Sequence, residues 1–231
     1  MKAADVMVST VISVGPNARV EEVAQILLAN RISAVPVIDE QGKLLGVVSE
    51  GDLIRRVEAG TDRGRRSWWL EYLTGKQVLA AEYVKSHSHK VADVMTRSVF
   101  TATEDTPLAD IANLLERNRI KRVPIVRDGK VVGIVSRANL LQALASTRAK
   151  DAPAASASDL DIRAKVISRL NAELWRPSML NVTVNDGAVD LWGFVTSDDE
   201  RNAARIAAEE VPGVKAINDN LMIPPPGFAA L

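Results

Sequence analysis

The chain has 231 residues, 47% of them hydrophobic, and its 29 basic and 29 acidic side chains balance to a formal net charge of +0. That balance gives no global field toward nucleic acid or an anionic membrane. The lack of cysteine excludes a disulfide framework and thiolate metal sites and fits a reducing compartment, and no run of 18 apolar residues reads as a membrane span. The N-terminal stretch, with Asp5 inside it, reads as a structural strand and not a secretory signal, because the same pattern recurs mid-chain at residues 91–102. Val11, Ile12 and Val14 predict a short strand ended by Gly15-Pro16. A helix follows, with Val20, Val23, Ala24 and Leu27 on one stripe. Residues 35–38 and 44–48 read as strands around an Asp39-Glu40-Gln41-Gly42-Lys43 turn, and a closing helix starts at Asp52.

Most of this unit then occurs a second time. Asp5-Val6-Met7 returns as Asp93-Val94-Met95, Val35-Pro36-Val37 as Val123-Pro124-Ile125, and Gly46-Val47-Val48-Ser49 as Gly133-Ile134-Val135-Ser136. The offset is 88 from Met7/Met95 to Pro36/Pro124 and 87 from Gly42/Gly129 onward, one turn residue being absent from the second copy. The stripe of the second helix is Leu108, Ile111, Ala112 and Leu115. A duplicated strand-helix-strand-strand-helix unit implies a pseudo-two-fold pair with two related clefts.

The copies are separated by an insert that opens on Arg63, Arg65 and Arg66 before Trp68-Trp69 and reads as helical, with Trp68, Tyr72, Leu79 and Tyr83 near one face. Residues 55–90 hold eight Lys/Arg and four Asp/Glu, about +4. The Ala/Ser-rich stretch 146–158 is linker in composition. A third domain then runs helix, strand, strand, helix, strand. Asp159 is placed to cap a helix striped by Ile162, Val166, Leu170 and Leu174. Leu180, Val182 and Val184 alternate before a tight Asn185-Asp186-Gly187 hairpin, and Val189, Leu191, Gly193 and Val195 alternate after it. That alternation turns Trp192 and Phe194 to the sheet face away from the helices. Ser197 and Glu200 form a predicted capping box, and a last strand runs over residues 214–223.

The duplicated Asp-Val-Met, Val-Pro-Val/Ile and Gly-Val/Ile-Val-Ser-x-x-Asp/Asn motifs resemble a tandem pair of CBS domains. Residues 159–223 resemble a BON domain, through Gly187-x-Val189-x-Leu191-x-Gly193-x-Val195 and Val211-Pro212-Gly213-Val214. The resemblance implies an α/β (α+β) chain divided as CBS repeat one (1–57), insert (58–90), CBS repeat two (91–145), linker (146–158), BON domain (159–223) and tail (224–231). It also implies an adenosine ligand (AMP, ADP, ATP, NAD or S-adenosylmethionine) held in clefts between the repeats. On the family pattern, Ser49 and Ser136 face phosphate, and Asp52 accepts both ribose hydroxyls, a match between an acceptor-only carboxylate and a diol. Asn139 replaces the acid in the second copy and can accept from one hydroxyl. Arg137 is placed for phosphate. Thr10, Ser13, Ser98 and Thr101 match cleft-lining segments, and backbone near Ile32, Ala34, Ile120 and Arg122 meets adenine. Asp52 and Asn139 have a competing reading as N-caps of the closing helices, which leads for Asn139.

Other features carry less. His87 and His89 have no third histidine or cysteine to complete a metal shell. Trp68-Trp69 behind three arginines could stack on bases or sit in a membrane interface, but packing of the insert against the pair or a dimer mate is preferred, and nucleic acid ranks last. No nucleophile has a histidine nearby to activate it and no glycine-rich phosphate loop is present, so the chain reads as a non-enzyme. The leading expectation is a cytoplasmic nucleotide-sensing regulator, homodimeric through the CBS pair, whose BON domain meets an unknown protein target or a membrane. The alternative is an envelope- or phospholipid-associated protein with the pair as dimer scaffold. Against it, residues 159–223 hold seven Lys/Arg and eleven Asp/Glu, about −4.

Overall fold

The computed structural model describes residues 1–54, 84, 87–146 and 157–224. The predicted insert helix, most of the linker and most of the tail lie outside these residues. In the first copy the elements are α1 (Ala3–Val6), α2 (Val20–Ala29), β1 (Ala34–Ile38), β2 (Leu44–Ser49) and α3 (Glu50–Ile54). In the second they are α4 (Val91–Val94), α5 (Leu108–Arg117), β3 (Arg122–Arg127), β4 (Lys130–Ser136) and α6 (Arg137–Ser146). The third domain contributes α7 (Ala157–Asn171), β5 (Ser178–Asn185), β6 (Ala188–Phe194), α8 (Asp198–Glu209) and β7 (Ala216–Met222).

The repeat is visible in detail. Asn30 and Asn118 close α2 and α5, each donating its side-chain N–H to a carbonyl one turn back at 2.9 Å. Each is followed by an arginine in the left-handed region, Arg31 at φ 52° and Arg119 at φ 53°. The hairpins then differ by one residue. In the first, the Asp39 carboxylate accepts from the N–H groups of Gln41 and Lys43. In the second, Asp128 and Gly129, at φ 52° and 79°, make a two-residue turn suited to a twisted hairpin.

Two expectations for the copies are corrected. The predicted opening strands reduce to single bridges, Val14 to Val37 and Ala102 to Ile125. Each Asp-Val-Met stretch is a helical turn rather than a strand. Apolar residues three and four apart sit on one face of such a turn, so Ala3, Val6 and Met7 enter a core together.

The compact units do not follow the sequence copies. One unit comprises Met1–Val11, Phe100–Arg127 and Val132–Leu231, and the other Ile12–Val99 and Asp128–Val131. In the first unit Ala3, Val6 and Met7 pack with Ile111, Leu115, Val123, Ile125 and Val135. In the second, Val91, Val94 and Met95 pack with Val23, Leu27, Val35, Val37 and Val48. Each copy thus lends its opening turn to the core of the other. Glycine makes room for the exchange. A Cβ on Gly133 would lie 2.5 Å from Met7 Sδ, and one on Gly46 would lie 2.8 Å from both Met95 Sδ and the Thr96 carbonyl.

The third domain has sheet order β5-β6-β7, β5 and β6 antiparallel and β6 and β7 parallel. Ile162, Val166, Leu170, Val182, Val184, Val189, Leu191 and Val195 form its core. Asp186 at φ 48° and Gly187 at φ 75° make the predicted tight turn. Leu174 is excluded from the stripe and fully exposed, because α7 ends at Asn171. Asp159 stands inside α7, at its third position, rather than ahead of it. Its two oxygens accept the N–H groups of Gly187 and Asp186, at 2.9 and 3.2 Å, and so clamp the hairpin onto the helix. The box at α8 is displaced by one residue. Ser197 Oγ accepts from Glu200 N, while the Glu200 carboxylate takes the N–H and hydroxyl of Thr196. Those bonds hold Glu200 below its ordinary pKa.

Candidate functional site

The two copies of the Ser-x-x-Asp/Asn motif fold as the same local device. In the second unit, the backbone N–H and the hydroxyl of Ser49 both donate to Asp52 Oδ2, at 2.9 and 2.7 Å. In the first unit, the N–H and hydroxyl of Ser136 donate to Asn139 Oδ1 at 2.8 and 2.7 Å. The serine precedes the helix and the acid or amide stands at its third position. In the second copy Asn139 N also donates to Ser136 Oγ, at 3.4 Å, which completes the reciprocal arrangement of a capping box there. It corrects the competing N-cap reading: Ser49 and Ser136 occupy the cap position, and Asp52 and Asn139 answer from one turn inside.

The remaining atom of each side chain separates the copies. Asp52 is half-buried, and its Oδ1 meets Thr96 Oγ1 at 3.5 Å, a long and weak contact. That oxygen keeps acceptor capacity toward solvent or a ligand. Asn139 is 5% exposed, and its Nδ2 donates to Gln142 Oε1 at 3.2 Å. Gln142 Oε1 also accepts from Asn181 Nδ2 of β5, at 2.6 Å. Both polar atoms of the Asn139 side chain are therefore engaged by its own chain.

Part of the predicted set assembles around each motif. Ala34 is the cross-strand partner of Ser49, and Glu50 N donates to the Ser33 carbonyl, which ties the segment carrying Ile32 and Ala34 to the start of α3. In the first unit, Arg137 N donates to the Lys121 carbonyl, which ties Ile120 and Arg122 to α6 in the same way. The Arg137 side chain is exposed. Thr10 and Thr101 belong to the first unit, Ser13 and Ser98 to the second, so the structure sorts these four without bringing them to one motif. Ser98 and Thr101 are exposed and Ser13 is half-buried. Thr10 Oγ1 accepts from Asn171 Nδ2 of α7 at 3.1 Å.

Sequence reasoning missed Thr96, Gln142, Arg163 and Asn181. Thr96 directly follows the second Asp-Val-Met, where the first copy has Val8, and that hydroxyl was a usable signal. Arg163 sits beside the core stripe of α7. It is 6% exposed, and it donates to the Val182 carbonyl at 2.6 Å and the Met7 carbonyl at 2.5 Å. Burial pushes its guanidinium down to about 10, against the field of Asp5, so it stays charged at neutral pH. His89 Nδ1 pairs with Glu21 Oε1 at 2.8 Å, and among the described residues no group of three metal-ligating side chains occurs. A shallow groove on the third domain contains none of the predicted residues, and its Arg169 is already paired with Glu210 at 2.9 Å.

A duplicated α/β unit with exchanged opening turns, each copy ending in a serine that donates to an acid or amide at a strand-to-helix junction, defines a tandem small-domain module with an appended αββαβ domain. The CBS domain family matches residues 3–59 and 91–146, and the BON domain family matches residues 158–225. The chain belongs to the CBS-domain family and carries a BON domain after the pair. It is 37% identical over 135 residues to the chloroplastic CBS domain-containing protein CBSX1 of Arabidopsis thaliana, covering 56% of this chain and 57% of that protein. It thus spans little more than half of that relative's length. An uncharacterised protein of Methanocaldococcus jannaschii, MJ1426, is 32% identical over 133 residues, or 53% of this chain and 79% of that one. A crystal structure of CBSX2 in complex with AMP superposes with a TM-score of 0.56 at 29% identity, covering 64% of this chain and 99% of that chain. Among the described residues, no helix is long and apolar enough to cross a membrane.

Proposed function

We propose that the chain is a non-catalytic, cytoplasmic sensor of an adenosine compound, with AMP the first candidate, whose ligand is held at the Ser49–Asp52 motif. The observation that carries this reading is Asp52 itself: one carboxylate oxygen is held by both donors of Ser49 while the other keeps its lone pairs. A carboxylate fixed in this manner is ready to accept from a ribose diol without reorganising. The similarity to a CBSX2 structure in complex with AMP supports the ligand class. Ile32 and Ala34 would supply backbone to the base, Ser13 and Ser98 the rim. Ligand binding acts on the state it prefers, and the BON domain transmits that preference to a target.

We place the assembly as a homodimer through the CBS pair. Leu141 and Leu144 of α6 are 66% and 72% exposed, and Leu28 of α2 is 67% exposed, apolar area of the kind that pairs across a two-fold axis. Sedimentation at tens of micromolar should give a dimer, and a monomer there would remove this part of the reading.

The test of the ligand is a thermal-shift screen of the full chain with AMP, ADP, ATP, NAD and S-adenosylmethionine. A ligand at about 100 times its Kd adds roughly 2.7 kcal/mol, which for a chain of this size raises Tm by roughly 5 to 10 °C. AMP should give that shift. No shift with any of the five would overturn the nucleotide reading.

A further inference from the structure

We propose that the Ser136–Asn139 copy of the motif is the docking seat of the chain's own BON domain and is closed to nucleotide, so that ligand is taken by the Ser49–Asp52 copy. The ligand half of this assignment rests on the nucleotide reading above, and the seat half does not.

The outer face of the BON sheet should be wet, since α7 and α8 cover the other face. Instead Asn181 and Thr183 on that face are 2% and 3% exposed. Packed against β5, besides α7, are α6 and α1, and α6 supplies the polar partners. Asn181 Nδ2 donates to Gln142 Oε1 at 2.6 Å, and Thr183 Oγ1 shares a hydrogen bond with Ser146 Oγ at 2.9 Å. Gln142 and Ser146 are one helical turn apart, and Asn181 and Thr183 are two strand positions apart. One face of α6 therefore lies along one face of β5, in register for two bonds. At the flank, Arg163 bridges the Met7 and Val182 carbonyls, and Asn171 reaches Thr10. The contacts end on family site positions: Gln142 takes the free N–H of Asn139, and Thr10 is engaged by Asn171.

The chemistry explains the substitution. An aspartate at 139 would bring an anionic oxygen against Gln142 Oε1. Asparagine presents a donor instead and completes a chain from Ser136 through Asn139 and Gln142 to Asn181. The second copy has exchanged a ribose acceptor for a link to the BON domain.

The chain has no cysteine, so a disulfide reports the seat cleanly. In the full-length protein carrying Ser146→Cys and Thr183→Cys, air oxidation should close an intrachain disulfide. A Ser146→Cys, Asn202→Cys control, with the second thiol on α8 across the sheet, should not close. The oxidised protein should bind one AMP per chain, with affinity within about twofold of the unmodified chain. Hydrogen exchange on the unmodified chain gives a reading that needs no cysteine. Arg137–Ser146 and Ser178–Asn185 should be protected, and Gln142→Lys should speed exchange in both by about tenfold or more while β7 is unchanged. Equal disulfide formation in the control, an interchain bond only, or two AMP per oxidised chain would overturn the proposal, as would unchanged exchange in Gln142→Lys. A closed disulfide and protected segments with no AMP bound would leave the seat standing and remove the nucleotide reading.

Discussion

Ser49–Asp52 and Ser136–Asn139 began as one motif and still fold as one. Their serine-to-side-chain distances agree to within 0.1 Å: 2.9 and 2.7 Å in the first, 2.8 and 2.7 Å in the second. They differ in what stands beyond. Asp52 Oδ1 looks toward Thr96 at 3.5 Å, whereas Asn139 Nδ2 is bound to Gln142 and, through it, to β5 of the BON domain. The two serine bonds thus preserve local geometry while leaving one polar atom free to diverge. The serine bonds stay constant in both copies, and the difference between them lies in that last atom.

The largest expected effect tests that atom. Asp52→Ala should weaken AMP binding by roughly 1.5–3 kcal/mol, about 10- to 150-fold, the range for losing a hydrogen bond to a charged group. Asn139→Ala should leave AMP affinity within about twofold, since its amide serves the seat. Calorimetry on both variants decides. Equal losses would mean that the two motifs share one role.

The second comparison concerns the exchanged turns. Gly46→Ala and Gly133→Ala each place a Cβ against the methionine of the other copy. At Gly46 the Cβ also meets the Thr96 carbonyl at 2.8 Å, while at Gly133 the near atoms all belong to the Met7 side chain. Overpacking costs roughly 1–3 kcal/mol. Gly46→Ala should fall at the upper end, because backbone gives less readily than a flexible thioether chain. Urea unfolding monitored by circular dichroism measures both, and a larger loss at Gly133 would reverse the argument.

Much of this was legible in the sequence because it rests on short-range pattern. The duplicated motifs announced two copies, and alternation along 189–195 placed Val189, Leu191 and Val195 in the core. Three features were not legible. The packing of Met7 on Gly133 and of Met95 on Gly46 joins residues 126 and 49 positions apart, and no local periodicity encodes which copy receives an opening turn. Asp159 looked like a cap because its position allowed one, yet Asp186 and Gly187 offered two N–H groups in reach of both oxygens. Gln142 and Asn181 are ordinary polar residues on a helix and a strand, and only their meeting gives Asn139 its meaning. Thr96 and Arg163, by contrast, stood out against their surroundings and could have been found.

Where the copies agree, matched variants should agree as well. Asn30→Ala and Asn118→Ala each remove a 2.9 Å bond to a helix carbonyl. Each should cost roughly 0.5–1.5 kcal/mol. The two losses should lie within about 0.5 kcal/mol of each other, as expected for independent sites with the same partners. Thermal denaturation gives both values. A marked difference would show that the repeat symmetry of α2 and α5 is geometric only.

The smallest effect separates the copies by acid. Glu21, in the first turn of α2, accepts from His89 Nδ1 at 2.8 Å and from Arg19 at 3.2 Å, while the corresponding position in α5 is Ala109. The hydrogen bond from its own backbone N–H comes first, then those from His89 and Arg19, and together they lower its pKa from 4.5 to about 2. A carboxylate with a depressed folded pKa stabilises fully above its unfolded value, and that contribution fades as pH falls from about 4.5 toward 2. The pair is exposed, so salt screens it and the stability change is small. The sharper readout is the carboxyl carbon resonance of Glu21. It should titrate near 2 in the unmodified chain and move part of the way back toward 4.5 in His89→Ala, because the backbone bond survives that substitution. Titration at the ordinary glutamate value in the unmodified chain would break the assignment. Full reversion in His89→Ala would transfer the whole shift to the imidazole.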